Sequence, residues 1–306
     1  MWCSALVTWG LAAVAGMGVA VFAPERLPEV GPFAAPLTVT TATAGGTGKP
    51  SAPTSPATTA AFDIAPGARQ RAADQAVYYA QSRGWRSGIV IRDLVTGETT
   101  KAGDADGYFR AESTVKLFIA ARMLTDGTMT PDNAATARRM LTLSDDAAAS
   151  SLYAGVGGDA LIGWVGTRYG LMDPGTPPVR GAGQWGSTQV TPFAMVTFLT
   201  AAYRDPKVGT WLIDALVQMA PTAADGTSQM FGLRAADSAA VVKQGWGGDT
   251  DPRDVVGTPS VGYVDRGRYA VAIYTVRLPE SPVAEAQGVV TAQAKLLLPQ
   301  GRMPRF

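Results

Sequence analysis

"AESTVKLFIAARML", residues 111–124, decides how the chain is read. Ser113 and Lys116 stand three apart, and an apolar run at helical spacing follows them. At i and i+3 of a helix, two side chains share a face. In a first turn, the unpaired backbone N–H groups and the helix dipole stabilise an alkoxide or oxyanion. A lysine desolvated there can be neutral near pH 7 and take the serine's proton. The alternative is an ordinary helix start with a capping serine and a surface lysine. With 14 serines and six lysines in 306 residues, about 0.3 such pairs arise by chance. Taken alone, the pair favours the ordinary reading.

Composition narrows the choice. Apolar residues make up 46% and charged residues 17%, which suits a globular protein with a sizeable core. The net charge of +1 leaves no electrostatic footprint for nucleic acid. The chain has no histidine, which excludes a Ser-His-Asp triad, a Cys-His dyad and an HExxH zinc site. Its one cysteine, Cys3, allows no internal disulfide and no cysteine-based metal cluster. A nucleophile in this chain must use lysine, carboxylate or tyrosine as its base. No cofactor is expected.

Residues 1–25 read as an export signal or membrane anchor. Positions 2–23 carry no charge and could span a bilayer, although Gly and Ala make them weakly apolar. A basic n-region is lacking, cleavage after Ala20 is conceivable, and Cys3 comes too early for a lipoprotein signal. A buried core helix is the competing reading of this segment. Residues 26–61 are rich in Thr, Pro and Ala and cannot bury enough apolar surface to order themselves, so they read as a flexible linker. The folded domain is expected over 62–306.

Within that domain, 66–84 reads as an amphipathic helix ending at Gly84. Residues 87–103 read as two strands around a Thr96-Gly97 turn. Helices are expected over 113–125, from Pro131, after Ser144-Asp145-Asp146, up to Gly170, after Thr191 and over 281–298. The stretch 171–190 is a long Pro- and Gly-bearing loop of the kind that tends to be functional. "AAVVKQGW" and "PSVGYVDRGRYAVAIYTVRL" supply further strands. Strands at both ends and helices between argue for an α+β arrangement, one sheet built from both termini with a helical insertion.

Two more stretches bear on chemistry. "SDD", 144–146, reads in isolation as a helix cap with acidic first-turn residues. "VVKQGWG", 241–247, places a lysine at a strand end, with Gly245 able to let backbone approach a ligand. In isolation it is a strand end and turn. The order S-x-x-K, then S-D-x, then K-x-G is more specific than any one of them. With it, the chain resembles the serine β-lactamase and penicillin-binding protein superfamily, most nearly the class A β-lactamase-like serine hydrolases. The likeness runs from about Ala65 to Leu298. It includes "IVIRDLVTGETT" (89–100), "STQVTPFAMVTFL" (187–199) and "SVGYVDRGRYAVAIYT" (260–275).

The resemblance implies a β-lactamase/transpeptidase-like α+β fold, an antiparallel sheet from both ends of the domain flanked by helices, with a helical insertion subdomain. It implies Ser113 as the acylated nucleophile, Lys116 as its base and Ser144 as a proton relay to the leaving nitrogen. Asp146 would stand where the family has an asparagine. Lys243 would bind a substrate carboxylate or act on the field around Ser144. Substrate and oxyanion contacts would come from Gln244, Gly245 and Trp246, with the N–H groups of Ser113 and Trp246 as the oxyanion hole.

Three departures shape the functional expectation. Asp146 puts a negative charge near Lys116, which favours the ammonium and weakens the base. Gln244 replaces a hydroxyl that helps grip a carboxylate, a role its amide could partly take, and Trp246 is bulky for a substrate-edge position. No glutamate occurs between Ser113 and Lys243, and Asp173 in "GLMDPGTPPVRGAGQWGS" reads as a turn residue. Efficient penicillin hydrolysis is therefore not expected. The expectation is an exported serine acyl-enzyme acting on an amide or ester, such as a cell-wall peptide or a β-lactam. It would be a monomer with no nucleic-acid partner and with its N-terminal segment at a membrane. The competing expectation is a non-catalytic protein of this fold that binds a cell-wall ligand or a protein partner.

Overall fold

Two stretches of the chain, far apart in sequence, meet in one antiparallel sheet. The computed structural model describes residues 67–247, 256–277 and 282–305. The expected leader (1–25) and linker (26–61) lie outside the described residues. Helix α1 (Ala68–Gln81) leads through a tight turn into β1 (Arg86–Asp93) and β2 (Thr99–Gly103). A two-residue strand, β3 (Phe109–Arg110), precedes a 3₁₀ turn at Glu112–Val115. Then come α2 (Lys116–Asp126), α3 (Pro131–Thr142), α4 (Asp146–Tyr153) and α5 (Leu161–Tyr169). Strand β4 (Gln189–Val190), α6 (Pro192–Arg204), α7 (Pro206–Val217) and α8 (Gly232–Ala236) follow. The chain closes with β5 (Val241–Gln244), β6 (Val256–Gly257), β7 (Ser260–Val264), β8 (Tyr269–Arg277) and α9 (Val283–Leu297).

The sheet order is β2-β1-β8-β7-β5, β6 pairs with the last residues of β8, and every pairing is antiparallel. Arg86 pairs with Val276 and Asp93 with Tyr269, so β1 and β8 join the two ends of the domain. The β-branched and aromatic content of β8 suits a strand buried on both faces, and all of it but Arg277 is buried. One face packs against α1 and α9, where Ile89, Ile91, Val271 and Ile273 meet Val77, Val290 and Leu297. Gln293 of α9 ties this layer together, donating to Ala76 O and Ser87 Oγ and accepting from Thr275 Oγ1. Helix α6 lies against β1 and β8, and β3 and β4 form a separate small ribbon.

The expected α+β fold with a helical insertion is what the chain adopts. Helix α7 and the ribbon of β3 and β4 add to that expectation. Helix α2 explains why residues 111–124 carry so much weight. Leu117, Phe118, Ile119, Ala120, Ala121, Met123 and Leu124 are all buried, so the helix is apolar nearly all round and runs through the interior. Phe118 meets Phe198 of α6 edge-on at 4.8 Å between ring centres. Lys116, at the first position of this central helix, is itself fully buried. Among the described residues, no helix is long and apolar enough to cross a membrane.

Candidate active site

The 3₁₀ turn places Ser113. Ser113 lies in this turn rather than in the α-helix, which begins at Lys116. Glu112 has φ 46, a left-handed conformation that is rare outside glycine, and the reversal aims the start of the turn into a cleft. Ser144 has φ 51 and is likewise not a glycine. Asp145 caps α4 through Ala148 N at 2.9 Å and also pairs with Arg139. The cap in "SDD" is thus made by Asp145. Ser144 and Asp146, on either side, are left for the cleft.

Five candidates converge: Ser113, Lys116, Ser144, Asp146 and Lys243. Lys116 Nζ lies 2.9 Å from Ser113 Oγ, 2.7 Å from Ser144 O, 3.2 Å from Ser144 Oγ and 2.6 Å from Asp146 Oδ1. Lys243 Nζ, from β5, donates to Ser144 Oγ at 2.9 Å and to Gln244 O at 2.7 Å. Ser144 Oγ thus stands between two lysines, both 0% exposed. Charge on both at once is costly, because burial penalises each ammonium and each repels the other.

The hydrogen-bond inventory around Lys116 is informative. A carbonyl and a carboxylate oxygen only accept, and Ser144 O and Asp146 Oδ1 are the two shortest contacts. A neutral amine has two N–H bonds for these two acceptors, which leaves its one lone pair for a serine hydroxyl, and Ser113 Oγ is the nearer. An ammonium would turn its third N–H toward that hydroxyl. Burial holds the Lys116 ammonium below its ordinary value, against the opposing pull of Asp146. The Asp146 side chain is 72% exposed, and burial of the lysine outweighs it. Lys243 is held well below the ordinary lysine value, by burial first and then by the charge of Lys116.

Gly245 lets the end of β5 approach the nucleophile. A Cβ there would come within 3.1 Å of Ser113 N and 2.8 Å of the Pro259 ring. The backbone of 245–246 therefore runs beside Ser113 N, where two donors can face one oxygen. Gly247 is similarly constrained, since a Cβ there would lie 2.3 Å from a carboxylate oxygen of Glu112. Gln244 departs from expectation. It is fully buried, and its amide donates inward to Phe231 O rather than toward a substrate. β5 is packed on both faces, so a side chain pointing away from the cleft at 244 has only backbone carbonyls to satisfy it.

The cleft has a volume of about 620 Å³, and some of its lining was not legible in the sequence. Trp185, from the 171–190 loop, lies with its ring centre 4.8 Å from Lys116 Nζ and donates to Ser150 Oγ at 3.1 Å. Trp246, two residues beyond β5, lines the cleft and donates to Asp225 Oδ2 at 3.0 Å. Asp225 also accepts from Thr227 N at 2.8 Å. Arg110, Glu112 and Arg180 complete the charged lining. From the loop itself, the cleft receives Arg180, Gly183, Gln184, Trp185, Gly186 and Ser187, and no carboxylate. Asp173 lies elsewhere and accepts from the Tyr108 hydroxyl at 2.9 Å; the expected turn at 173–175 is not formed, and the stretch is loop leading to the bridge at Thr176. Among the described residues, no group of three or more metal-ligating side chains occurs.

Comparison with known proteins agrees with this architecture. No protein-family model matches the chain. It is 28% identical over 247 residues to proteins of Mycobacterium bovis and Mycobacterium tuberculosis named "Putative lipoprotein LppW", covering 75% of this chain and 74% of theirs. Among solved structures it is similar to the TLA-3 extended-spectrum β-lactamase, with TM-score 0.60, 12% identity, and coverage of 76% of this chain and 98% of that one. It is also similar to a point mutant of PBP-A, solved as an acyl-enzyme complex with penicillin G, with TM-score 0.57, 18% identity and coverage of 76% and 95%. A β-lactamase from Chitinophaga pinensis gives TM-score 0.58 at 14% identity, covering 76% and 98%. The chain has the fold of the class A β-lactamases and penicillin-binding proteins.

Proposed function

We propose that the protein is an exported serine acyl-enzyme that attacks an amide or ester through Ser113. The observation that carries this reading is the 2.9 Å contact of Lys116 Nζ with Ser113 Oγ, closed into a network with Ser144 and Lys243. Ser113 Oγ bonds to the substrate carbonyl carbon while its proton passes to the neutral amine of Lys116. The carbonyl oxygen gains negative charge between the N–H groups of Ser113 and Trp246. The bond to the leaving nitrogen or oxygen then breaks, and that atom takes a proton through Ser144. Ser144 recovers it from the lysine pair.

Deacylation is the slow half of this cycle. No carboxylate enters the cleft from the 171–190 loop, where Trp185 faces Lys116 instead. Water at the acyl carbonyl has no general base from that side. A p-nitrophenyl ester is expected to release a burst near one equivalent per protein and then turn over slowly. A linear time course without a burst, or no release beyond a Ser113→Ala control, argues against the reading. The substrate class we favour is a peptide or small acyl compound of the cell envelope. Placement outside the cytoplasm rests on the charge-free N-terminal segment and on the similarity to proteins named as lipoproteins.

A second reading is a non-catalytic protein that keeps the fold and binds a ligand in the cleft. The 2.6 Å contact of Lys116 with Asp146 favours it, because a carboxylate stabilises the ammonium. The burst experiment separates the two.

A further inference from the structure

The leaving-group end of the cleft can be located from the proton route. Ser144 Oγ is the hydroxyl within reach of both lysines, so a departing atom that collects its proton there lies beside Lys243 and the end of β5. What surrounds that end is unsuited to a carboxylate. Lys243 has no exposed surface, and its hydrogen bonds go to Ser144 Oγ and Gln244 O. Gln244 turns its amide into the core.

Negative charge takes their place. Asp225 stands exposed on the lip of the cleft, tied to Trp246 Nε1 and Thr227 N. Burial works to raise its pKa, but the hydrogen bonds from Thr227 and Trp246 outweigh it and hold the group ionised. Its field reaches both Lys116 and Lys243. Asp146 adds a second, well-exposed carboxylate. The cleft's arginines, Arg110 and Arg180, come from β3 and the 171–190 loop, not from the wall formed by Trp246 and Asp225.

We propose that the cleft selects acyl donors whose leaving group is cationic or neutral and rejects those whose leaving group carries a carboxylate, with Asp225 as the specificity-determining residue. The selection follows from Coulomb interaction at the lip, where an added carboxylate meets Asp225 and Asp146 while both lysines stay buried. The inference rests on the acyl-enzyme reading and narrows its substrates to amides or esters of amine-bearing or uncharged leaving groups.

The test uses the whole protein and two kinds of probe. A neutral fluorophosphonate first reports whether Ser113 reacts, with fluoride lost as the Oγ–P bond forms. Three acetyl thioesters then differ only in the leaving thiol, which bears a trimethylammonium, an amide or a carboxylate group. Acylation is followed by intact mass and by thiol release. The trimethylammonium thioester is expected to react fastest and the carboxylate slowest, about tenfold or more apart. Asp225→Asn, which keeps an acceptor for Thr227 N, is expected to shrink that ratio, and Asp225→Lys to reverse it. The inference is overturned if the carboxylate thioester reacts as fast as the cationic one, or if the ratio is unchanged in both variants. It is equally overturned if a protein that takes the fluorophosphonate is not acylated by the cationic thioester. Failure of the fluorophosphonate itself is a different result, and it removes the acyl-enzyme reading on which the inference stands.

Discussion

Whether Ser113 reacts depends on the proton count of two buried lysines. Asp146 is the carboxylate that pushes Lys116 most strongly toward the ammonium, so Asp146→Asn should move the rise of acylation with pH to lower pH. The sign is fixed: removing a negative charge lowers the lysine's pKa and enlarges the neutral fraction at pH 7. Labelling should rise on the acid side of the profile, where the ammonium is populated, and stay unchanged on the alkaline plateau. An unchanged pH profile would show that Asp146 does not set the base. Lys243 makes a prediction about stability. Its folded pKa is well below the ordinary 10.5, so the unfolded chain holds that proton more tightly between the two values. The wild-type protein therefore gains stability as pH rises toward 10.5 and carries the full cost of the buried charge below the folded value. Lys243→Met should melt higher than wild type at pH 7, with the gap closing in alkali. A gap independent of pH would contradict this. At this scale Ser113, Lys116, Ser144, Asp146 and Lys243 stood out only together, because the order of three short motifs resembles a known family, while each motif alone reads as a helix start, a cap or a strand end. Trp185 and Asp225 did not, being single loop residues that only the folded chain carries to the cleft. Nor could the sequence weigh Asp146 against burial, because burial is a property of the whole interior.

Elements whose signals are internal were the most legible. α1, β1, β2 and α9 showed their apolar periods and turn residues, and Pro131 marked the start of α3. α7 begins with Asp205 as cap and Pro206 at its first position, yet it follows α6 without a loop, and the close junction hid it. β3 and β4 are two residues each, too short for a pattern. The 3₁₀ turn at Ser113 depends on the left-handed Glu112, which local propensity does not favour. The end of β5 offers a direct test at this scale. Gly245→Ala puts a methyl against Ser113 N and Pro259, separating the two N–H donors. Fluorophosphonate labelling should fall roughly a hundredfold or more, as for loss of an oxyanion donor, while the circular dichroism spectrum stays native. Labelling at the wild-type rate would place the oxyanion elsewhere. α2 has the opposite role: Phe118→Ala should cost about 3–5 kcal/mol of stability, since the ring is fully buried against Phe198.

The molecule as a whole is closed by pairing its ends. β1 and β8 lie at opposite ends of the folded chain, and α9 seals the face of the sheet they share. Removing residues 282–306 strips Val290, Ala294 and Leu297 from that core and should leave a protein without a cooperative thermal transition. This long-range closure is why the α+β class could be read from the position of strands at both ends, while the sheet order could not. The same closure brings Lys243, at the C-terminal side, onto Ser144 and so completes a centre begun at Ser113. Intact mass after exposure to a neutral fluorophosphonate decides whether Ser113 is a nucleophile. The account predicts a gain of one phosphonyl group, located on the peptide containing Ser113 and absent in Ser113→Ala. No gain in mass, or a gain that persists in Ser113→Ala, would contradict it.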